Sequence, residues 1–388
     1  MKRVLMYDPY HDCEFGAQRC MITLAEGLKE HGYEPIIATG KEGALSRSAR
    51  KAGLTVDIIP IPRSLDIFGG AALAASLPRK LFLLLEVMRY GARVSRHARR
   101  HGVDLLFANE LRSCLFLVAS KLRLGKPLVW GIHGGPSQGM LSAFASSVSD
   151  RVMLISKAAA KAMPPRARRR AEPKTTLNYM GIDASRYHAR TSPQARNATR
   201  RRFGLPEDAV LVTTAGSISR RKGYDTLLSA LELVAGDGSP VHLAIAGAMA
   251  TGGDPEYVAG LHRHVAEKGL PVTFVGWLDD LPELLAASDI FVLVSREEGL
   301  GIVTLEAMAT SLPVIVTYAG GSEETVVDGE SGLIIQPDDP AALADRLRML
   351  ICDPGLRSRL GQRARQRCEE VFSESAYKAR FFDLVRNA

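Results

Sequence analysis

Residues 295–321, SREEGLGIVTLEAMATSLPVIVTYAGG, hold Glu298 and Glu306 with seven residues between them. DIFVLVS, just before and into this stretch, is a short apolar run of the kind that forms a buried strand. REEGLG is then a turn, IVTLEAMAT opens a helix, and PVIVT, restarted by Pro313, is the next strand. Strand, glycine turn, helix and strand in that order make one unit of a parallel sheet. Glu298 therefore falls in the loop at a strand's carboxyl end, where open α/β sheets bind ligands. Glu306 falls about one turn into the helix, on a face where Ala307 and Ala309 pack close to the sheet. Gly299, Leu300, Gly301 and Ile302 bring backbone N–H groups and a helix N-terminus together, an arrangement suited to phosphate. A carboxylate beside a phosphate accepts hydrogen bonds from hydroxyls instead of binding the phosphate. One phosphate site between two hydroxyl acceptors predicts a nucleotide sugar, with Glu306 on the ribose and Glu298 on the transferred sugar. Two glutamates at this spacing would ordinarily be surface charges. The strand, turn and helix around them favour a site.

The same alternation extends outward in both directions. RVLMYD, EPIIATG, TVDIIPI, DLLFAN, PLVWGIHG and RVMLIS read as strands, separated by helical stretches such as GAQRCMITLAEGLKEHG. The pattern restarts at AVLVTTAG near Ala209 and continues through VHLAIAG, VTFVG, DIFVLVS, PVIVTYAGG and GLIIQP. Between the halves, residues 184–206 are polar and poor in aliphatics, which predicts a linker and a leading helix. A chain of 388 residues has room for two domains. The expected fold class is α/β: two Rossmann-like, doubly wound parallel-sheet domains, 1–190 and 191–370, facing a central cleft, with a last helix over 371–388. A G-x-G-x-x-G after the first strand is absent, which counts against a dehydrogenase.

Five cysteines, odd in number and without a C-x-x-C spacing, argue against a disulfide framework or a zinc site and for a reducing cytoplasm. The run RVLMY is too short for a signal peptide, and no uncharged span reaches transmembrane length. Charge is uneven. Residues 1–190 carry 30 Lys and Arg against 15 Asp and Glu, a balance of +15; residues 191–388 carry 20 against 27, a balance of −7. Such asymmetry points to nucleic acid, an anionic membrane surface or an acidic ligand. No aromatic-rich basic platform accompanies the charge, which disfavours nucleic acid. Residues 77–102 are apolar on one face and carry Arg79, Lys80, Arg89, Arg93, Arg96, Arg99 and Arg100 elsewhere, and PPRARRRAEPK (164–174) adds a second basic cluster. Helices that lie on membranes look like this. A core-facing helix with a solvated basic face accounts for the pattern equally well.

AGSISRRKGYD (215–225) follows one strand and precedes a helix. Gly216 permits a close backbone approach, and Arg220, Arg221 and Lys222 bring three cations to the sheet's carboxyl end. A leaving diphosphate gains negative charge as its glycosidic bond breaks, so fixed cations there stabilise the transition state. In EFGAQR (14–19), Gly16 stands between the first strand and the first helix, where simple helix packing is nearly as good an account. In WGIHGGPS (130–137), His133 ends a strand and is followed by two glycines in a loop, a setting that favours function over the structural role a lone histidine more often has.

EGLGIVTLEAMATSLPVI resembles the donor-binding signature of retaining glycosyltransferases of family 4, the glycosyltransferase group 1 proteins, which have the GT-B fold. Leu300 replaces an aromatic residue of that signature and Ser311 a glycine. The resemblance continues through AGGSEETVVDGESGLIIQPDDPAAL and back to GSISRRKGYDTLLSAL, and is weaker in the first half. It implies that Lys222 is the family's lysine and that Ser217 occupies the position of its arginine, so that Arg221 or Arg220 must supply the missing charge. It also implies Gly16 near the donor phosphate, His133 in contact with the donor sugar and placed to position an acceptor, and a last helix that crosses back to the first domain.

The expectation is a cytoplasmic retaining glycosyltransferase, peripheral on the inner face of the membrane if its acceptor is lipid-linked. It would use a nucleotide diphosphate sugar, with a UDP-sugar favoured over a GDP-sugar, and a glycan or lipid-linked acceptor. The expected catalytic residues are Lys222, Arg221, Glu298 and His133. The expected donor-binding residues are Gly16, Gly216, Arg220, Glu298, Gly299, Leu300, Gly301, Ile302 and Glu306. No metal or cofactor is expected if backbone amides and Arg/Lys hold the diphosphate, and no nucleic-acid partner. A nucleotide-sugar hydrolase or epimerase of the same fold, or a non-catalytic sugar-nucleotide-binding protein, are the alternatives, and Ser217 keeps the last of these open.

Overall fold

The computed structural model describes residues 1–10, 16–66, 76–134, 139–161, 163–187, 192–249, 253–278 and 281–388. The chain packs as two units, Met1–Gly181 with Glu374–Ala388, and Ile182–Ser373. The first unit has a seven-stranded parallel sheet built from β1 (Arg3–Tyr7), β2 (Glu34–Thr39), β3 (Thr55–Ile58), β4 (Leu105–Ala108), β5 (Leu128–Ile132), β6 (Arg151–Leu154) and β7 (Thr175–Leu177). The spatial order is β3-β2-β1-β4-β5-β6-β7. The order reverses between β1 and β4, and the residues at their carboxyl ends, Asp8 and Asn109, flank that switch point. The second unit has a six-stranded parallel sheet of β8 (Val210–Ala215), β9 (Val241–Ala246), β10 (Val272–Gly276), β11 (Ile290–Leu293), β12 (Val314–Thr317) and β13 (Leu333–Ile335). Its order is β10-β9-β8-β11-β12-β13, with the switch between β8 and β11. These are the two doubly wound sheets of the GT-B fold.

Central strands are buried on both faces, which is why they read as continuous apolar runs. In the second unit Val212, Leu243, Ile245, Ile290, Val292 and Ile315 of the sheet pack against helix residues such as Leu227, Leu231, Leu343 and Leu347. Full burial of each such side chain is worth roughly 1.5–3 kcal/mol. β7 was not foreseen: TTL is three residues long and only partly buried, so it carries no apolar run to detect.

The first unit is completed from the far end of the chain. Ile182 N donates to Phe372 O and bridges Ser373, both within the second unit, so the units divide at Gly181. The expected boundary at 190/191 falls in 188–191, outside the described residues. The last helix, Glu374–Arg386, lies on helix Gly16–Glu30 of the first unit. A Cβ on Gly27 would come within 2.7 Å of the Lys378 chain, and Phe382 stacks on His31 at 4.2 Å.

Helix Leu77–Arg100 has two characters. Its second half buries Tyr90, Gly91, Val94, Ser95 and Ala98 against helix Leu111–Leu124, where Gly91 allows close contact with Phe116 and Ala119. Its first half buries Leu83 but leaves Leu77, Leu81, Phe82, Leu84, Leu85 and Met88 exposed. Among the described residues no helix is long and apolar enough to cross a membrane.

Ser311, where the resembling family has glycine, adopts a left-handed backbone with φ 62°. A side chain there costs roughly 1–2 kcal/mol. Ser311→Gly is expected to raise stability by about 1 kcal/mol in urea denaturation; a lower midpoint would show that the hydroxyl compensates.

Candidate active site

In the second unit, the carboxyl end of β8 leads through Gly216 into a single 3-10 turn, Arg220–Lys222, closed by Gly223 in the left-handed region (φ 68°). Gly216 takes a φ of 141° that side chains rarely adopt, and a Cβ there would be in ordinary contact, 3.6 Å, with Lys222 Cε. Lys222 Nζ reaches Glu298 Oε2 at 2.5 Å, with both side chains only 10% exposed. Ser295 Oγ donates to the same oxygen at 3.2 Å, and Gly299 N to Oε1 at 3.2 Å. Burial pushes the Glu298 carboxyl up, but Lys222 and, more weakly, Arg221 and Ser295 outweigh it, and the net shift is below the ordinary value. Glu298 is thus a carboxylate, and Lys222 a cation held in place by it.

The two arginines part company. Arg221 Nη1 donates to Glu297 O at 2.8 Å and lies 3.9 Å from Glu298 Oε1. Arg220 pairs with Asp254 at 2.9 Å and lies over the Tyr257 ring at 4.8 Å, directed toward helix Pro255–Lys268. The loop itself is braced by Arg296, which sequence reasoning passed over. Its backbone N donates to Arg221 O at 2.7 Å, and its guanidinium binds Asp225 and Asp338, both at 2.7 Å, and Arg220 O. This network ties the 220–222 turn to the 295–301 loop.

Glu298 also joins β12's extension: its N donates to Ala319 O at 2.7 Å and its O accepts from Gly321 N at 2.9 Å. A Cβ on Gly321 would fall 1.9 Å from Gly299 O, so glycine alone allows this approach. Leu300 is buried at 1% exposure, and Gly301 (φ 82°) caps helix Ile302–Ala309. Glu306 lies inside that helix at 1% exposure, and Tyr187 Oη donates to its Oε1 at 3.0 Å. Tyr187, too, was not singled out from sequence.

In the first unit, Gly16 opens helix Gly16–Glu30; residues 14–15 of the EFGAQR stretch and 135–138 after His133 lie outside the described residues. His133 follows β5, and its Nε2 is 3.0 Å from Asn109 Oδ1. Asn109 Nδ2 reaches Asp8 Oδ2 at 2.7 Å. Burial pushes His133 down to about 4 and Asp8 up to about 6. Glu110, beside them in sequence, is pushed well above the carboxylate range by burial and by Asp8. Asp8, Asn109 and Glu110 carried no motif. Among the described residues, no three His, Cys, Asp or Glu cluster so as to hold a metal ion.

The profile described as Glycosyltransferase Family 4 matches residues 16–214, and that of Glycosyl transferases group 1 matches residues 195–367. The lipopolysaccharide core biosynthesis glycosyltransferase LpsE of Rhizobium meliloti is 33% identical over 188 residues, 48% of this chain and 52% of that protein. The chain thus spans about half the length of that relative. N-acetyl-alpha-D-glucosaminyl L-malate synthase of Bacillus anthracis is 25% identical over 76% of this chain and 79% of its own. The Anabaena HepE structure in complex with UDP and glucose superposes over 100% of both chains with a TM-score of 0.84 and 24% identity. With one family profile covering more than half of its length, the chain belongs to glycosyltransferase family 4, the glycosyl transferases group 1 proteins of GT-B fold.

Proposed function

We propose that this chain transfers a sugar from a nucleotide diphosphate sugar, a UDP-sugar before a GDP-sugar, to a glycan or lipid-linked acceptor in polysaccharide or glycoconjugate synthesis. The observation that carries this reading is the Lys222–Glu298 pair at the β8/β11 switch point, beside a glycine turn at a helix N-terminus. Lys222, with Arg221 in place of the arginine missing at Ser217, meets the charge that grows on the leaving diphosphate. Arg220, held by Asp254, is the weaker candidate. Glu298 accepts a hydroxyl of the transferred sugar and Glu306 a ribose hydroxyl. Retention would follow from same-face attack, with the leaving phosphate taking the acceptor proton. Amides and cations suffice to hold the diphosphate without a metal.

Thermal shift with UDP-glucose, UDP-galactose, UDP-N-acetylglucosamine and GDP-mannose tests donor binding, because a ligand of the native state raises its apparent stability. Product analysis then separates transfer from hydrolysis or epimerisation. No shift with any of the four, at concentrations that saturate relatives, would remove the donor reading. The two glutamates should separate by calorimetry: Glu306→Ala is expected to weaken UDP binding about tenfold, the weight of one hydrogen bond, while Glu298→Ala spares UDP and removes turnover. Equal losses of UDP affinity would merge their roles.

The exposed apolar residues of helix 77–100, with Arg79, Lys80, Arg89, Arg96, Arg99 and Arg100 exposed beside them, support docking of the first unit on the inner face of the membrane. Each basic residue at an anionic surface adds about 1 kcal/mol. Arg96, Arg99 and Arg100 changed together to Glu should abolish co-sedimentation with phosphatidylserine-containing vesicles and leave UDP affinity unchanged. Binding that ignores both salt and this triple change would point instead to a soluble acceptor.

A further inference from the structure

We propose that Asp8 and Asn109 are positioning residues that hold His133 with Nε2 protonated, so that its Nδ1 lone pair is a standing acceptor for a hydroxyl of the ligand. The argument runs along a chain of groups whose directions are forced. Asp8 is fully buried and takes three hydrogen bonds: from Tyr10 N at 2.9 Å, from Gln18 Nε2 at 3.0 Å, and from Asn109 Nδ2 at 2.7 Å. Three donors converging on one carboxyl favour its ionised form, which can only accept. The second proton of the Asn109 amide points to Ala17 O at 3.2 Å, another group that can only accept.

Two acceptors on one side of Asn109 fix which way its amide faces. Its Oδ1 must then face His133, and it does, 3.0 Å from Nε2. Oδ1 has no proton to give, so the proton of this contact belongs to Nε2. A neutral imidazole carries one N–H. Burial keeps this ring neutral at physiological pH, and Nδ1 is left bare. Among the described residues nothing hydrogen-bonds to that atom, although it is shielded from solvent. Asp8, Asn109 and His133 each stand just after a strand, β1, β4 and β5, which are neighbours in the sheet. The parallel sheet thus sets three side chains in a row whose polarity is dictated from its buried end.

The chemistry follows from the bare nitrogen. A neutral lone pair attracts an O–H or N–H and repels phosphate and carbonyl oxygens. His133 would therefore recognise a hydroxyl, and would not donate a proton in this state. Only the identity of that hydroxyl, as one on a sugar, rests on the glycosyl-transfer reading.

The test uses the full chain with isotope-labelled histidine and the imidazole nitrogen–proton correlation spectrum at neutral pH. His133 is assigned by the signals lost in His133→Gln. The expected spectrum shows a protonated-type Nε2 and an unprotonated-type Nδ1. An Nδ1–H tautomer, or averaged shifts, overturns the proposal. Asn109→Leu should lose the preference and give averaged shifts. If it fails to fold, Asp8→Asn serves, because an amide at position 8 can donate and frees Asn109 to turn over. An unchanged tautomer in a folded Asn109→Leu or Asp8→Asn variant overturns the positioning role. Among the four nucleotide sugars, one that gives a thermal shift should also move Nδ1 toward a hydrogen-bonded value, or its acceptor partner should. Failure of all four to bind counts against the donor reading, while the tautomer still decides the role of Asp8 and Asn109.

Discussion

Lys222→Ala is expected to lower kcat on the order of 10²–10³-fold and to change the donor KM far less. The lysine is not a free surface charge. Its Nζ is 2.5 Å from Glu298, its side chain is 10% exposed, and its turn is tied by Arg296 to the loop that carries Glu298. A cation fixed in this way needs no reorganisation when charge develops on a leaving diphosphate, so its stabilisation appears chiefly in the transition state. The same substitution strips Glu298 of its main counter-charge, and burial then pushes that carboxyl up against only the weaker pull of Arg221 and Ser295. Breaking such a pair costs on the order of 3 kcal/mol of stability. Lys222→Ala combined with Glu298→Gln removes the orphaned charge and should recover much of the stability. The rate should stay low, since the cation is still missing. A single Lys222→Ala variant within tenfold of the wild-type kcat would deny Lys222 this role.

Much of the second unit was open to sequence reasoning because its chemistry is local. Lys222, Glu298 and Glu306 sit in short strand–turn–helix segments whose periodicity announces the elements and whose glycines announce the turns. The partners of these residues were not readable, because they come from distant loops that parallel crossovers bring together. Tyr187 meets Glu306 across 119 positions, and Asn109 meets Asp8 across 101. Arg296 lay within the stretch that settled the fold, yet nothing in its spacing to Asp225 or Asp338 marks a bridge. Arg220 and Arg221 are adjacent and chemically identical. Only the 3-10 turn sends one toward Asp254 and the other toward Glu298. The units divide at Gly181, and the next residue, Ile182, bridges Ser373. The amphipathic helix 77–100 was legible as apolar and basic, but which half is buried depends on helix 111–124 crossing only at Gly91 and beyond.

The turn that aims Lys222 should be brittle at Gly223. With φ at 68°, any side chain there costs roughly 1–2 kcal/mol from backbone conformation alone. An added Cβ would also lie 2.2 Å from Val294 O and 3.2 Å from Val294 C. These are backbone atoms at the end of β11, in the middle of the sheet, so neither side can give way without moving a strand or the start of helix Tyr224–Gly236. Gly223→Ala is therefore expected to lose at least about 3 kcal/mol in urea denaturation. Its remaining folded fraction should have impaired kcat, since Gly223 N closes the turn on Arg220 O and follows Lys222 directly. Gly260→Ala is the matching control. Gly260 is exposed within helix Pro255–Lys268 and a Cβ there meets nothing within 4 Å. That change should add about 0.5–1 kcal/mol through helix propensity and leave kcat alone. The opposite signs of the two substitutions separate steric aim from chain entropy within one unit. Full stability and full turnover in Gly223→Ala would mean that the 220–222 turn is not held against Val294, and that Lys222 owes its position to Glu298 alone.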